Sequence, residues 1–269
     1  MKYSIHKRGG MAMKNILKIM LMMITIFTIA GSAVYAAEIP VSDQDQLITS
    51  SDWTEISNLQ DEMKKEEPDA TIDYDKALKV YVDCNLIKLQ TADTKKLTSA
   101  LESANYVWVI PFKMEKTYGM FTVAKGLPLR EEAKSVLTKA EQEEVKNHAG
   151  KWMITETAEH TVEPYYDILL EKREALSDCT RVVLVGSQPG MRQPVALGMD
   201  DETARIWISL GYQYPVMEKI PETQNVESGV YLFESVAEIS DTYIEDSEVS
   251  TGAGVQSRSS MKYVAGIGI

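Results

Sequence analysis

His160 stands among three carboxylates, Glu156, Glu159 and Glu163, so imidazole and acid are crowded together here. Such groups could hold a divalent metal or exchange a proton with a substrate. The pattern lacks ligand spacing, however: neither His160 nor His148 belongs to an HExxH motif, and carboxylates are dense along the whole chain. No metal or cofactor is therefore expected. His148 falls near the end of a charged helical stretch, where the helix dipole favours an imidazolium, and its expected role is structural.

A second candidate is the loop Gly186-Ser187-Gln188-Pro189-Gly190, with Arg192 beside it, directly after the β-branched run Arg181–Val185. Phosphate loops and nucleophile elbows occupy such positions. GxGxxG, GxxxxGK and GxSxG are all absent here, and Pro189 and Pro194 oppose the helix those motifs need. The glycines fit a hairpin loop better. Ser187, Gln188 and Arg192 could still hold a carboxylate or sugar hydroxyls together. Tyr212 and Tyr214, flanking Gln213 before Pro215, are candidate stacking surfaces, whereas Tyr165 and Trp207 fall on apolar faces and belong to a core. Asp73/Asp75 and Asp200/Asp201 lack the glycine and distal Glu of a calcium loop and are expected in turns or on a solvated face.

The first 36 residues carry Lys2, Lys7, Arg8, Lys14 and Lys18, with no Asp or Glu, and an apolar run from Ile19 to Ala30. That run is too short to span roughly 30 Å of hydrocarbon and leads into small residues, so residues 1–36 read as a secretory signal peptide cut before Ala37. Translation is expected to start at Met11 or Met13, since Met13 onward is already a complete leader. Without residues 1–36, 23 basic face 40 acidic residues and the formal charge moves from −12 to −17. Nucleic acid is a poor partner for such a surface. Two cysteines, Cys84 and Cys179, in an exported chain suggest one disulfide, while the absence of CxxC argues against thiol exchange.

Positioning these residues falls to an α+β fold. Residues 37–51 are polar and read as a flexible lead-in. Asp52 with Glu55 resembles a helix start for Trp53, Ile56, Leu59 and Met63. Leu78, Val80 and Val82 alternate as a strand, Asp93 caps a helix carrying Leu97, Ala100, Leu101 and Ala104, and residues 106–112 and 118–124 form a hairpin. Arg130–Asn147 reads as one helix with Ala133, Val136, Leu137 and Ala140 inward. Further strands are expected at 152–157, 181–185, 195–199 and 204–210, with helices after Thr161 and over Ser228–Ile239. Residues 241–269 are acidic, then Ser/Gly-rich, and read as a disordered tail.

The order strand, helix, strand, strand occurs over residues 76–125 and again over 151–210. Slight identity between the two runs favours a single domain, residues 52–240, with an antiparallel meander packed by helices over a duplicated unit. With 44% apolar and 25% charged residues the chain is an ordinary globular protein. These features point to an exported bacterial module, secreted or at the cell surface, that binds a protein or envelope ligand without catalysis and without a membrane span once the leader is gone. The alternative is an extracytoplasmic hydrolase using Ser187 or the acidic cluster around His160.

Overall fold

A computed structural model describes residues 39–160, 163–186, 188, 191, 193–211, 217–221 and 225–246. The leader, Ser187, Arg192, Tyr212, Tyr214 and residues 247–269 lie outside the described residues. The fold is α+β, built on a ten-stranded mixed sheet. Strands β1 (Thr71–Ile72), β2 (Leu78–Val82), β3 (Asn105–Lys113), β4 (Tyr118–Lys125) and β5 (Trp152–His160) form one half. Strands β6 (Arg181–Val185), β7 (Val195–Met199), β8 (Ala204–Ser209), β9 (Asn225–Glu227) and β10 (Val230–Leu232) form the other. The order across the sheet is β5-β4-β3-β2-β6-β7-β8-β10-β9, with β1 paired to β3.

The expected meander is thus two meanders, joined at their first strands. β2 and β6 run parallel, with Val80 opposite Leu184, and every other strand pair is antiparallel. The two strand-helix-strand-strand runs do not fold as equivalent units. β5 closes the first meander by pairing with β4, and the chain then returns to the sheet centre to begin the second at β6. A parallel neighbour needs such a crossover, and helix Tyr165–Glu171 lies on it.

Alternation along the strands sorts their side chains onto two apolar faces. Leu78, Val80, Val109, Val182, Leu184, Ala196 and Ile208 join Tyr165, Ile168 and Leu169 of the crossover helix on one side. On the other, Tyr81, Val183, Val185, Leu197 and Trp207 pack under helices Thr94–Glu102 and Phe233–Asp246 through Leu97, Leu101, Phe233 and Val236. A third cluster, with Trp108, Ile110, Phe112, Phe121 and Trp152, covers the β3–β5 half under Ile56 and Met63. Asp93 caps helix Thr94–Glu102 as its position predicts, accepting the Lys96 amide at 3.1 Å.

Residues 39–51 are not a flexible lead-in. Val41 bridges to Val182 and Gln46 to Leu78, so this segment is wedged into the fork where β2 and β6 diverge. Asp45, only 2% exposed, anchors it. Its carboxylate accepts from Tyr81 OH at 2.7 Å, Arg181 Nη2 at 3.0 Å and Ser42 Oγ at 2.6 Å, with Lys79 Nζ at 3.6 Å. The Lys79 ammonium also lies 4.6 Å from the Tyr106 ring centroid and 5.3 Å from that of Trp108. Burial, then the bond to Asp45, raises the Tyr81 phenol, which therefore stays a donor at physiological pH. Helix Trp53–Ile56 starts directly after Asp52 as expected, but the Asp52 side chain makes no cap bond; it accepts from Tyr106 OH at 2.9 Å and Trp108 Nε1 at 3.0 Å.

Three helix expectations change. Residues 130–147 form two helices, Glu131–Lys134 and Lys139–His148, because Thr138 and Glu141 make a reciprocal capping box that starts a new helix. Neither buries a side chain, and Val136, read as inward, is 78% exposed. The terminal helix begins at Phe233 rather than Ser228, because residues 225–232 form the β9–β10 hairpin around Gly229 at φ 74°. It also runs on to Asp246, six residues into the stretch read as a disordered tail. Among the described residues no helix is long and apolar enough to cross a membrane.

Cys84 and Cys179 are both free thiols. Cys84 packs with the cluster under helix Thr94–Glu102, and Cys179 with the cluster on the opposite face, so the sheet separates them. Burial pushes each thiol up to about 11. Two thiols per chain should therefore titrate in denaturant without added reductant, and a count of zero would restore the bridge. Ionising near 9.0 when unfolded but near 11 in the fold, each thiol favours the fold fully below pH 9 and loses that contribution as pH rises to 11. Melting temperatures should fall across that window, and less steeply in a Cys84→Ser variant.

Candidate functional site

Four strand ends meet at one edge of the fold: β2 stops at Val82, β3 starts at Asn105, β4 stops at Lys125 and β5 starts at Trp152. Between them opens a cleft of ≈ 250 Å³. Its walls are largely apolar, from Val82, Val107, Ala124, Leu127, Tyr106 and Trp152. Two charges, Asp83 and Lys125, and the amide of Asn105 also line it.

Local structure sets each of these groups. Immediately after β2 the chain turns at Asp83 with φ 58°, a left-handed conformation that Asp tolerates better than most residues. Asn105 Nδ2 donates to Asp83 Oδ2 at 3.0 Å, which orients the carboxylate. Lys125 and Trp152 are directly opposed across β4 and β5, and the ammonium sits 5.4 Å from the indole centroid. The Tyr106 hydroxyl is already committed to Asp52, so its ring serves as wall. Trp152 Nε1 is buried without a hydrogen-bond partner, an exception among buried polar atoms.

The rim between β4 and β5 carries the two exposed helices, tied back where Gly126 and Ala149 bridge. Gly126 N donates to Lys151 O at 2.9 Å and Gly150 N to Gly126 O at 2.7 Å. A Cβ at Gly126 would lie 2.2 Å from the His148 carbonyl oxygen, so only glycine lets these backbones approach.

Of the candidate ligand set Ser187, Gln188 and Arg192, Gln188 is the described member, and it is 3% exposed. Its Oε1 accepts from the Leu86 amide at 3.1 Å, and its Nε2 donates to the carbonyls of Cys84 at 2.6 Å and Gly186 at 3.0 Å. The amide is consumed in tying the post-β6 loop to the chain just beyond Asp83. Those three bonds occupy the Gln188 side-chain amide with backbone of its own and the neighbouring loop. The acidic residues near His160 do not converge. Glu156 and Glu159 alternate to opposite faces of β5, Glu163 lies exposed beyond its end, and His160 is four positions, roughly 13 Å, from Glu156. Among the described residues no three His, Cys, Asp or Glu side chains gather as metal ligands. Tyr165 and Trp207 are buried core, and Asp200 is a turn residue whose carboxylate accepts the Glu202 and Thr203 amides. Those bonds hold its pKa below the ordinary carboxylate value.

The sequence reading missed Asp83, Asn105, Lys125 and Trp152 because each is a common residue at a strand end; their one shared signal is that position. No protein-family model, curated protein or solved structure matches this chain.

Proposed function

We propose that this chain is an exported bacterial binding module that takes a small ligand into the cleft at the β2–β5 strand ends. The observation that carries the reading is the combination there of an apolar floor, two aromatic walls and two fixed charges, the ordinary composition of a ligand site. A volume of ≈ 250 Å³ falls below the roughly 300–1,000 Å³ of drug-sized sites and suits a compact ligand. Export rests on the basic, then apolar, first 36 residues, and the acidic surface disfavours nucleic acid. The protein works outside the membrane, secreted or at the cell surface, without a cofactor.

A thermal-shift screen against cell-envelope components and peptides tests binding. A ligand at 100 times its Kd adds about 2.7 kcal/mol, which raises the melting temperature by about 5–10 °C. Leu127→Glu, which places a carboxylate on the half-buried cleft wall, should abolish the shift while leaving the unliganded melting temperature within about 2 °C. A shift unaffected by that substitution would move the site elsewhere. Intact mass of the exported protein tests the leader, with Ala37 as the expected first residue.

A further inference from the structure

We infer that the cleft takes a short zwitterionic peptide of two or three residues, its amino terminus at Asp83 and its carboxylate at Lys125. The inference rests on reading the cleft as a ligand site and adds the chemistry of what enters it. Its two charged lining groups have opposite signs, and neither has an ionic partner among the described residues. Each is oriented by a neutral neighbour instead, Asp83 by the Asn105 amide and Lys125 by the Trp152 ring. A ligand carrying one charge would answer one of these exposed groups and leave the other to water alone. A ligand with a cation at one end and an anion at the other answers both.

Strand spacing sets the distance between those ends. Asp83 follows β2 and Lys125 ends β4, with β3 between them and Asp83 two residues beyond the position level with Lys125, so the two backbones are about 12 Å apart. The amino and carboxyl groups of a free amino acid sit on one carbon and fall short of such a gap. A dipeptide, about 7 Å long, or a tripeptide, about 10 Å, bridges it once a charge contact of about 3 Å at each end is added. Val82, Val107, Ala124 and Leu127 then face the middle of the ligand, which favours apolar side chains.

Calorimetric titration of the full mature chain with L-alanyl-L-leucine, its N-acetyl form, its C-terminal amide, the doubly blocked form and free L-leucine tests this. The unblocked dipeptide should bind, with each single block weakening it at least fivefold and free leucine weaker still. Two substitutions should then cross. Lys125→Met keeps the length of the stem and should erase only the penalty for amidation. Asp83→Asn suits the same left-handed backbone, keeps an acceptor for Asn105, and should erase only the penalty for acetylation. Equal binding of the doubly blocked form would overturn the inference while leaving the cleft a ligand site. Absence of heat with all five probes would also overturn it, and the proposed function falls with it only if the wider thermal-shift screen is blank.

Discussion

Replacing Asp45 by Asn is expected to cost about 3–5 kcal/mol of folding stability, the loss typical of removing one partner from a buried charge network. Asp45 is the carboxylate that meets both Lys79 and Arg181, whose side chains are 11% and 19% exposed. An Asn there presents an NH2 group to donors that need an acceptor, and Arg181 Nε is already buried without a partner. For a domain of this size the melting temperature should drop by about 10 °C. Cleavage sites for a nonspecific protease should appear within residues 39–51, since Asp45 pins that segment into the β2–β6 fork. Adding Lys79→Met and Arg181→Met should recover much of the loss, because an apolar cluster avoids the desolvation penalty that a broken ion network retains. Chemical denaturation measures all three proteins. A loss below about 1 kcal/mol for Asp45→Asn would mean that the segment is held by its backbone bridges alone.

Gly126→Ala should cost about 1–3 kcal/mol and also damage the cleft, because the obstruction is backbone. Its Cβ would fall 2.2 Å from the oxygen and 2.7 Å from the carbon of the His148 carbonyl, neither of which can rotate away. Relief requires parting the Gly126–Ala149 bridge, and with it the bonds to Lys151 and Gly150 that close the cleft rim. Amide exchange at residue 126 and at Gly150 should accelerate more than the global stability loss accounts for. Binding of the dipeptide should weaken in parallel. Leu127→Ala, one residue along and free of any backbone conflict, should leave those two amides protected. Equal exchange in the two variants would show that the close approach at Gly126 is not what shapes the rim.

Much of the secondary structure is legible in the sequence because its signals are local. Alternation at Leu78, Val80 and Val82 marks β2, since successive side chains must face opposite sides of a sheet. The Asp93 cap works within one turn of its helix and is correct for the same reason. The Thr138–Glu141 capping box is equally local, but the apolar spacing of Ala133, Val136, Leu137 and Ala140 masks it, although Val136 and Ala140 lie exposed and Ala133 and Leu137 are only half-buried. Residues 39–51 were illegible for a different reason. Their polar composition describes a loop unless a fork in the sheet supplies Tyr81, Lys79 and Arg181 to one carboxylate, and those partners stand 34 to 136 positions away.

By itself the sequence determined the α+β class, the positions of most strands and an acidic composition, with the export leader and a surface unsuited to nucleic acid as expectations. Each follows from composition or from periods shorter than ten residues. Tertiary structure alone decided that two meanders meet at a parallel pair and that the sheet keeps the cysteines apart. It alone placed Asp83, Asn105, Lys125 and Trp152 around one cleft. Strand order is a long-range choice among pairings whose local patterns are equally compatible, so the chemistry created where strand ends converge exists only once that choice has been made.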